Sequence, residues 1–175
     1  TSKAITSCTN ITSSDFLSAD INSTGNCLFI VADNITLDCN NHVITGDTTG
    51  TAIEVISHTN ITIKNCIIRD FQNGIIAINS ANTTILNSNI QVNDTGISIC
   101  CFDKGEVTGT TSLGRNGNGI RVNSETSIII NSTGISNSGA GINFLPGIAI
   151  PGFFPTSMLL NSIGISNSSI GIVAQ

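Results

Sequence analysis

The sequence predicts an all-β solenoid: one chain wound into about six coils with a repeat of 22–24 residues. Three observations predict it. The first is composition: of 175 residues, 31 are Ile, 22 Asn, 21 Ser, 21 Thr and 17 Gly, with no Trp or Tyr and only 10% charged. β-Branched and turn-forming residues dominate, while the strong helix formers are scarce. The second is internal repetition. A glycine that precedes a short apolar strand recurs at Gly50, Gly74, Gly96, Gly119, Gly141 and Gly171, at intervals of 24, 22, 23, 22 and 30. The third is period-two patterning. In Ile97-Ser98-Ile99, Ile120-Arg121-Val122 and Ile142-Asn143-Phe144 the outer residues point one way and the middle residue the other.

In chain order, residues 1–49 form N-terminal coils, 50–144 the regular coils, 145–156 an apolar insertion loop and 157–175 a last, uncapped coil. A second set of strands is expected at Ile35-Thr36-Leu37, Ile61-Thr62-Ile63, Thr83-Thr84-Ile85, Ile128-Ile129-Ile130 and Met158-Leu159-Leu160. Turn residues Asn65, Asn87, Asn131 and Asn161 follow these strands, with Cys39 in the equivalent earlier place. Asn tolerates left-handed backbone angles, and its amide can bond to an Asn above or below. A unit this short cannot bury its apolar side alone and must stack on its neighbours, rows of Ile inside, with equivalent strands parallel and about 4.8 Å apart. An antiparallel sandwich fits the near-constant interval poorly.

The stretch from Cys27 to Gly46 is similar to the opening coil of right-handed parallel β-helix proteins, and Asn60-Ile61-Thr62-Ile63-Lys64-Asn65-Cys66-Ile67-Ile68-Arg69-Asp70-Phe71 to the next coil. The chain most resembles secreted archaeal and bacterial members of the carbohydrate-binding, sugar-hydrolase type. The resemblance covers most of the chain and implies a single-stranded right-handed parallel β-helix. It implies little about function, because this fold carries lyases, hydrolases, binding modules and inert surface proteins alike.

Enzymes of that type place paired carboxylates on the outer face of one sheet, and such a pair needs about 5–10 Å between carboxyls. The outward row here reads Glu54, Ala77, Ser98, Arg121, Asn143, Val173, with one acid and one base far apart. The Asn-Thr-Asp, Gly-His-Gly and Arg-Ile-Lys signatures of β-helix polygalacturonases are absent. Asp103-Lys104-Gly105-Glu106 reads as a charged turn, and His42 and His58 as turn or surface histidines without a carboxylate partner. Thr36, Thr62 and Thr84 align on consecutive rungs as β-branched filler; an ice-binding array is disfavoured because the row breaks at Ile128 and Met158. No catalytic residue, metal site or cofactor is assigned. A net charge of −5 with six Lys+Arg disfavours nucleic acid. No apolar run reaches the roughly 18–20 residues of a membrane span.

Cys8, Cys27, Cys39, Cys66, Cys100 and Cys101 form no metal-binding spacing, so disulfides and an oxidising compartment are expected. Cys8 with Cys27 would staple the first coil. Cys39 and Cys66 lie on adjacent rungs, leaving Cys100 and Cys101 as a vicinal pair or an intermolecular link. A start at Thr1 reads as a processed mature end. Eight N-x-[ST] acceptor sites begin at Asn10, Asn22, Asn34, Asn60, Asn82, Asn93, Asn131 and Asn167. Only Asn22 has the acidic residue two positions earlier, Asp20, that bacterial transferases prefer; broad use of the sites would point to an archaeal or eukaryotic source.

Phe144, Leu145, Ile148, Ile150, Phe153 and Phe154, in and beside the insertion, are candidate assembly residues, as are Ile172 and Val173 in a last coil that ends in mid-repeat. An open coil end invites strand addition. The expected function is a structural extracellular or cell-surface glycoprotein whose partners are N-glycans and further copies of itself, stacked head to tail in a filament or coat. A carbohydrate-binding or polysaccharide-cleaving β-helix and an adhesin-like surface domain are the alternatives.

Overall fold

The computed structural model describes residues 2–101, 104–146 and 157–174. Among them there is no helix. Short strands, each of two to six residues, form three sheets with every pairing parallel. Sheet I runs from Ala4–Ile5 through Asp15–Leu17, Thr36–Asp38, Ile61–Lys64, Thr83–Leu86, Lys104–Thr108 and Thr126–Ile130 to Met158–Leu160. Sheet II runs from Thr9–Ile11 through Leu28–Ile30, Thr51–Ile56, Asn73–Ile78, Ile97–Cys100 and Ile120–Ser124 to Ile142–Pro146 and Ile172–Ala174. Sheet III runs from Ile21–Asn22 through Val43–Thr45, Ile67–Arg69, Asn89–Val92 and Thr111–Gly114 to Thr133–Ser136 and Ile163–Ser166. From Asp15 on the chain visits I, III and II in turn, so each of these coils supplies one strand to each sheet. The six glycine-marked coils are preceded by shorter rungs that no glycine marks.

The interior consists of aliphatic columns. On sheet II, Leu28, Ile53, Ile75, Ile97, Ile120 and Ile142 stack in register and all are fully buried. On sheet I the column is Leu37, Ile63, Ile85, Val107 and Ile129. β-Branched side chains suit this, because one χ1 rotamer repeats on every rung. On sheet III the column shrinks along the rod: Ile44, Ile68 and Ile90 give way to Ser112, Gly134 and Gly164. There the backbones of sheets III and II touch. A Cβ at Gly134 would run into the carbonyl of Gly141, and one at Gly164 into that of Gly171. Close approach at the III-to-II corner is therefore why glycine stands before the later sheet II strands, at Gly96, Gly119, Gly141 and Gly171, whereas Gly50 packs on Gly25 and Asn26 of the preceding rung with φ +64°.

Five expectations are corrected. Lys104 and Glu106 lie in a sheet I strand, not a turn, since Gly105 fills the inward position opposite Thr83; Asp103 lies outside the described residues. Ala77 points inward and is fully buried, so the outward row of sheet II carries Ile76 between Glu54 and Ser98. The Thr36–Thr62–Thr84 row ends at Glu106, a rung before Ile128. Phe144 packs inside sheet II above Val122, 5% exposed, and is no surface residue. The strand reaches Pro146, so the insertion begins after it; Ile148, Ile150, Phe153 and Phe154 lie outside the described residues.

Candidate functional site

Three disulfides tie the coil: Cys8–Cys27, Cys39–Cys66 and the vicinal Cys100–Cys101. The first two join adjacent rungs with Cα atoms 4.5 and 4.8 Å apart, within normal reach. Disulfides persist in oxidising compartments.

The column of Cys39 and Cys66 continues as Ser88, Thr110, Ser132 and Ser162. The hydroxyls of the last four accept the backbone N–H of Cys66, Ser88, Thr110 and Ser132 respectively, at 3.2–3.3 Å. Each hydroxyl donates to a carbonyl of its own rung, as Ser132 does to Ile130 at 2.8 Å. Sequence reasoning missed this ladder, although the signal was present: the turn residues Asn65, Asn87, Asn131 and Asn161 are each followed by Cys or Ser. Those turns are left-handed, with φ between 46° and 56°.

The amide ladder expected of asparagines forms elsewhere, at the corner between sheets II and I. Asn82 donates to Asn60 at 3.1 Å, and Asn60 to Asn34 at 2.9 Å. All three are exposed, with φ between 52° and 59°. Of the other acceptor sites, Asn10, Asn22, Asn131 and Asn167 are exposed, while Asn93 is half-buried and its carbonyl accepts from Arg115 at 2.8 Å. Asn167 donates to Asn137 at 3.0 Å.

A polar groove of about 450 Å³ lies on the outer face of sheet I, lined by Ser2, Ser14, Asp15, Phe16, Thr36, Asp38, Asn40 and Lys64. Phe16 and Asp38 are rung neighbours, as are Asp38 and Lys64. Asp38 is fully committed: its Oδ2 lies 3.2 Å from the Lys64 ammonium, and its Oδ1 accepts from the Asn40 backbone and the Asn65 amide, each at 2.9 Å. Partial burial opposes its ionisation, but these donors outweigh it and hold the carboxyl below the usual range. Asp15 is buried and accepts from the Lys3 N–H at 2.7 Å and the Ser13 hydroxyl at 3.1 Å. A general acid needs a raised pKa; Asp38 has the reverse. The groove suits the binding of a polar ligand against an aromatic face better than proton transfer.

On sheet II, Glu54 and Arg121 are three rungs apart, about 14 Å at the usual strand spacing. Arg121 Nε and Asn143 Oδ1, on neighbouring rungs, are buried without a hydrogen-bond partner among the described residues. The histidines do have carboxylate partners, contrary to the sequence reading: His42 Nδ1 lies 3.1 Å from Asp20, and His58 Nδ1 3.2 Å from Asp33. Each partner comes from the rung before, 22 and 25 residues away, so local sequence does not reveal it. Each aspartate also accepts a backbone N–H, from Val43 and Thr59 respectively, and with the histidine this lowers its pKa. No group of three potential metal ligands occurs among the described residues.

The family described as right handed beta helix region matches residues 4–147. No curated protein and no solved structure matches the chain.

Proposed function

Because the chain belongs to the right-handed β-helix family, whose members include enzymes and non-enzymes alike, we propose a role from what its coil displays: a structural extracellular glycoprotein whose subunits stack head to tail in a filament or coat. The observation that carries this reading is the apolar surface of the last coil. Met158, Leu160, Ile163, Ile165, Ile170 and Ile172 are all 37–61% exposed. The counterparts of Met158, Leu160 and Ile165 one rung earlier, Ile128, Ile130 and Ile135, are half-buried on the same outward columns, and that of Ile172, Ile142, is fully buried inside. A further rung would cover the last coil in the same way. Among the described residues no strand pairs with the outer edges of Met158–Leu160, Ile163–Ser166 and Ile172–Ala174. At the other end no strand pairs, among the described residues, with the outer edges of Ala4–Ile5, Thr9–Ile11 and Ile21–Asn22, and Ile5, Ile11 and Ile21 are already buried. The joint would place an apolar tail against a backbone edge, a heterologous contact that propagates. Leu145 and Val173 are half-buried on the outer face of sheet II and would flank it.

Electron microscopy and sedimentation of the native protein test this. Rods that lengthen with concentration support it; monomers at all concentrations reject it. One observation favours a second reading: the Phe16–Asp38–Lys64 groove has the aromatic face and fixed polar groups of a sugar subsite. Binding of acidic oligosaccharides, lost on Phe16→Ala and Lys64→Ala, would favour a carbohydrate-binding β-helix.

A further inference from the structure

We propose that the corner bearing Asn34, Asn60 and Asn82 is a sugar comb, with one N-glycan per rung on three successive rungs, each joined through the amide hydrogen the asparagine ladder leaves unused. The proposal rests on the glycoprotein reading and deepens it by assigning the attachment sites.

The argument starts from Asn60. Its amide donates to Asn34 on one side and accepts from Asn82 on the other. The two bonds leave in opposite directions along the rod. In a planar primary amide, only the N–H anti to the carbonyl points opposite to the C=O. That hydrogen is therefore spent in the ladder. The syn N–H points away from the stack, at a corner where all three asparagines are exposed. Attachment of a sugar replaces one of the two hydrogens. A secondary amide prefers the trans form, the cis form costing about 2.5 kcal/mol, and in the trans form the substituent is syn to the oxygen and the remaining hydrogen anti. Glycosylation thus keeps the hydrogen that the ladder uses and places the sugar where it touches nothing in the ladder.

The three sites share one geometry. Each has a left-handed backbone, each precedes a buried Ile or Thr (Ile35, Ile61, Thr83), and each hydroxyl residue of the acceptor sequence (Thr36, Thr62, Thr84) stands on the outward row of sheet I. Rung spacing of about 4.8 Å sets the three sugars in a row along one edge of the rod. Asn93 differs, being half-buried with its carbonyl held by Arg115. In the transfer step, the Nδ2–C1 bond forms as the C1–O bond of a lipid-phosphate-linked oligosaccharide breaks. The lipid phosphate leaves with the electron pair, and the amide proton passes to a base of the host transferase. Transfer occurs on the uncoiled chain, before the amides engage.

Glycopeptide mass spectrometry and intact mass of the native protein test the comb. The expected result is occupancy of Asn34, Asn60 and Asn82 in the same molecule. A triple variant, Thr36→Val, Thr62→Val and Thr84→Val, removes the three acceptor sequences but keeps the asparagines. It should lose the mass of three glycans and retain the β-sheet circular dichroism of the parent. Sugars found only at other asparagines would overturn the comb and leave the glycoprotein reading standing. No sugar anywhere would overturn both. Sugars at all three sites with a collapse of parental β-structure that enzymatic sugar release restores would overturn compatibility with the ladder.

Discussion

At the residue scale, the inward column of sheet III decides how the rod closes. Gly134 sits where sheets III and II touch backbone to backbone, and an added Cβ would meet the Gly141 carbonyl. The nearest obstacle is backbone, with the Ile142 side chain behind it, so relief requires the strands to move apart. Gly134→Ala should cost about 1–3 kcal/mol by overpacking, read as a lower denaturation midpoint with an unchanged slope. Titratable residues give a second prediction. The carboxyls of Asp20, Asp33, Asp38 and Asp47 are all held below their usual 3.8. A carboxyl with a depressed folded pKa adds stability above its unfolded pKa and loses it as pH falls through the folded one. Stability should therefore be flat in this respect above pH 5, begin to fall near the ordinary value of 3.8, and go on falling below it. Thermal melts from pH 6 to pH 2 would show this; melting temperatures that rise below pH 4 would refute it. Asp38→Asn should weaken the acid dependence, because its donors Lys64, Asn65 and the Asn40 N–H would face a neutral amide.

At the element scale, each coil is held by columns that cross rungs, and these differ in how plainly the sequence shows them. The Ile columns were legible because alternation within a strand and a 22-residue interval between strands both recur in the chain. The hydroxyl ladder was not, since Ser88, Thr110 and Ser132 are ordinary turn residues until the coil aligns them. The His–Asp pairs were hidden for the same reason, and Lys104–Thr108 was obscured because a glycine stands where the two rungs before carry Ile61 and Thr83. The ladder predicts a specific cost. Ser132→Ala removes the acceptor for the buried Thr110 N–H, 3.3 Å away, and leaves that donor unpaired. Such a loss costs about 1–3 kcal/mol. Ser162→Ala does the same to the Ser132 N–H but at a partly exposed rung, so its cost should be smaller. Urea denaturation of the two variants checks the order. The Cys39–Cys66 bridge closes 27 residues within the same column. Replacing both cysteines with Ala should cost about 3–4 kcal/mol on the loop-entropy relation.

At the scale of the whole molecule, the rod is asymmetric. Its N-terminal half is wide, filled with Ile and tied by two inter-rung disulfides; its C-terminal half is narrow, with glycine facing glycine and aliphatic residues turned outward. Narrowing and outward display are linked. Where sheet III has no inward side chain, its apolar residues occupy the outward positions, as in Ile163-Gly164-Ile165 against Ile67-Ile68-Arg69. A coil with so little apolar volume inside gains less from its own burial and more from being covered, because each buried aliphatic side chain contributes about 1.5–3 kcal/mol. This locates the change that should separate folding from assembly. Ile172 stands at the end of the sheet II column above Ile142 and is 37% exposed, while Ile142 is fully buried by it. Ile165 is 45% exposed on the outer face of sheet III. Ile165→Lys places a charge on a surface that is water-exposed in the monomer and half-covered in a stack, as Ile135 is one rung earlier. It should leave the monomer's melting temperature within a few degrees of the parent and raise the concentration needed for rod growth, since the next rung would half-cover the ammonium as the last coil half-covers Ile135. Sedimentation velocity across a hundredfold range of concentration reads both species. Rods that form equally well from the Ile165→Lys protein would show that the last coil is not the joint.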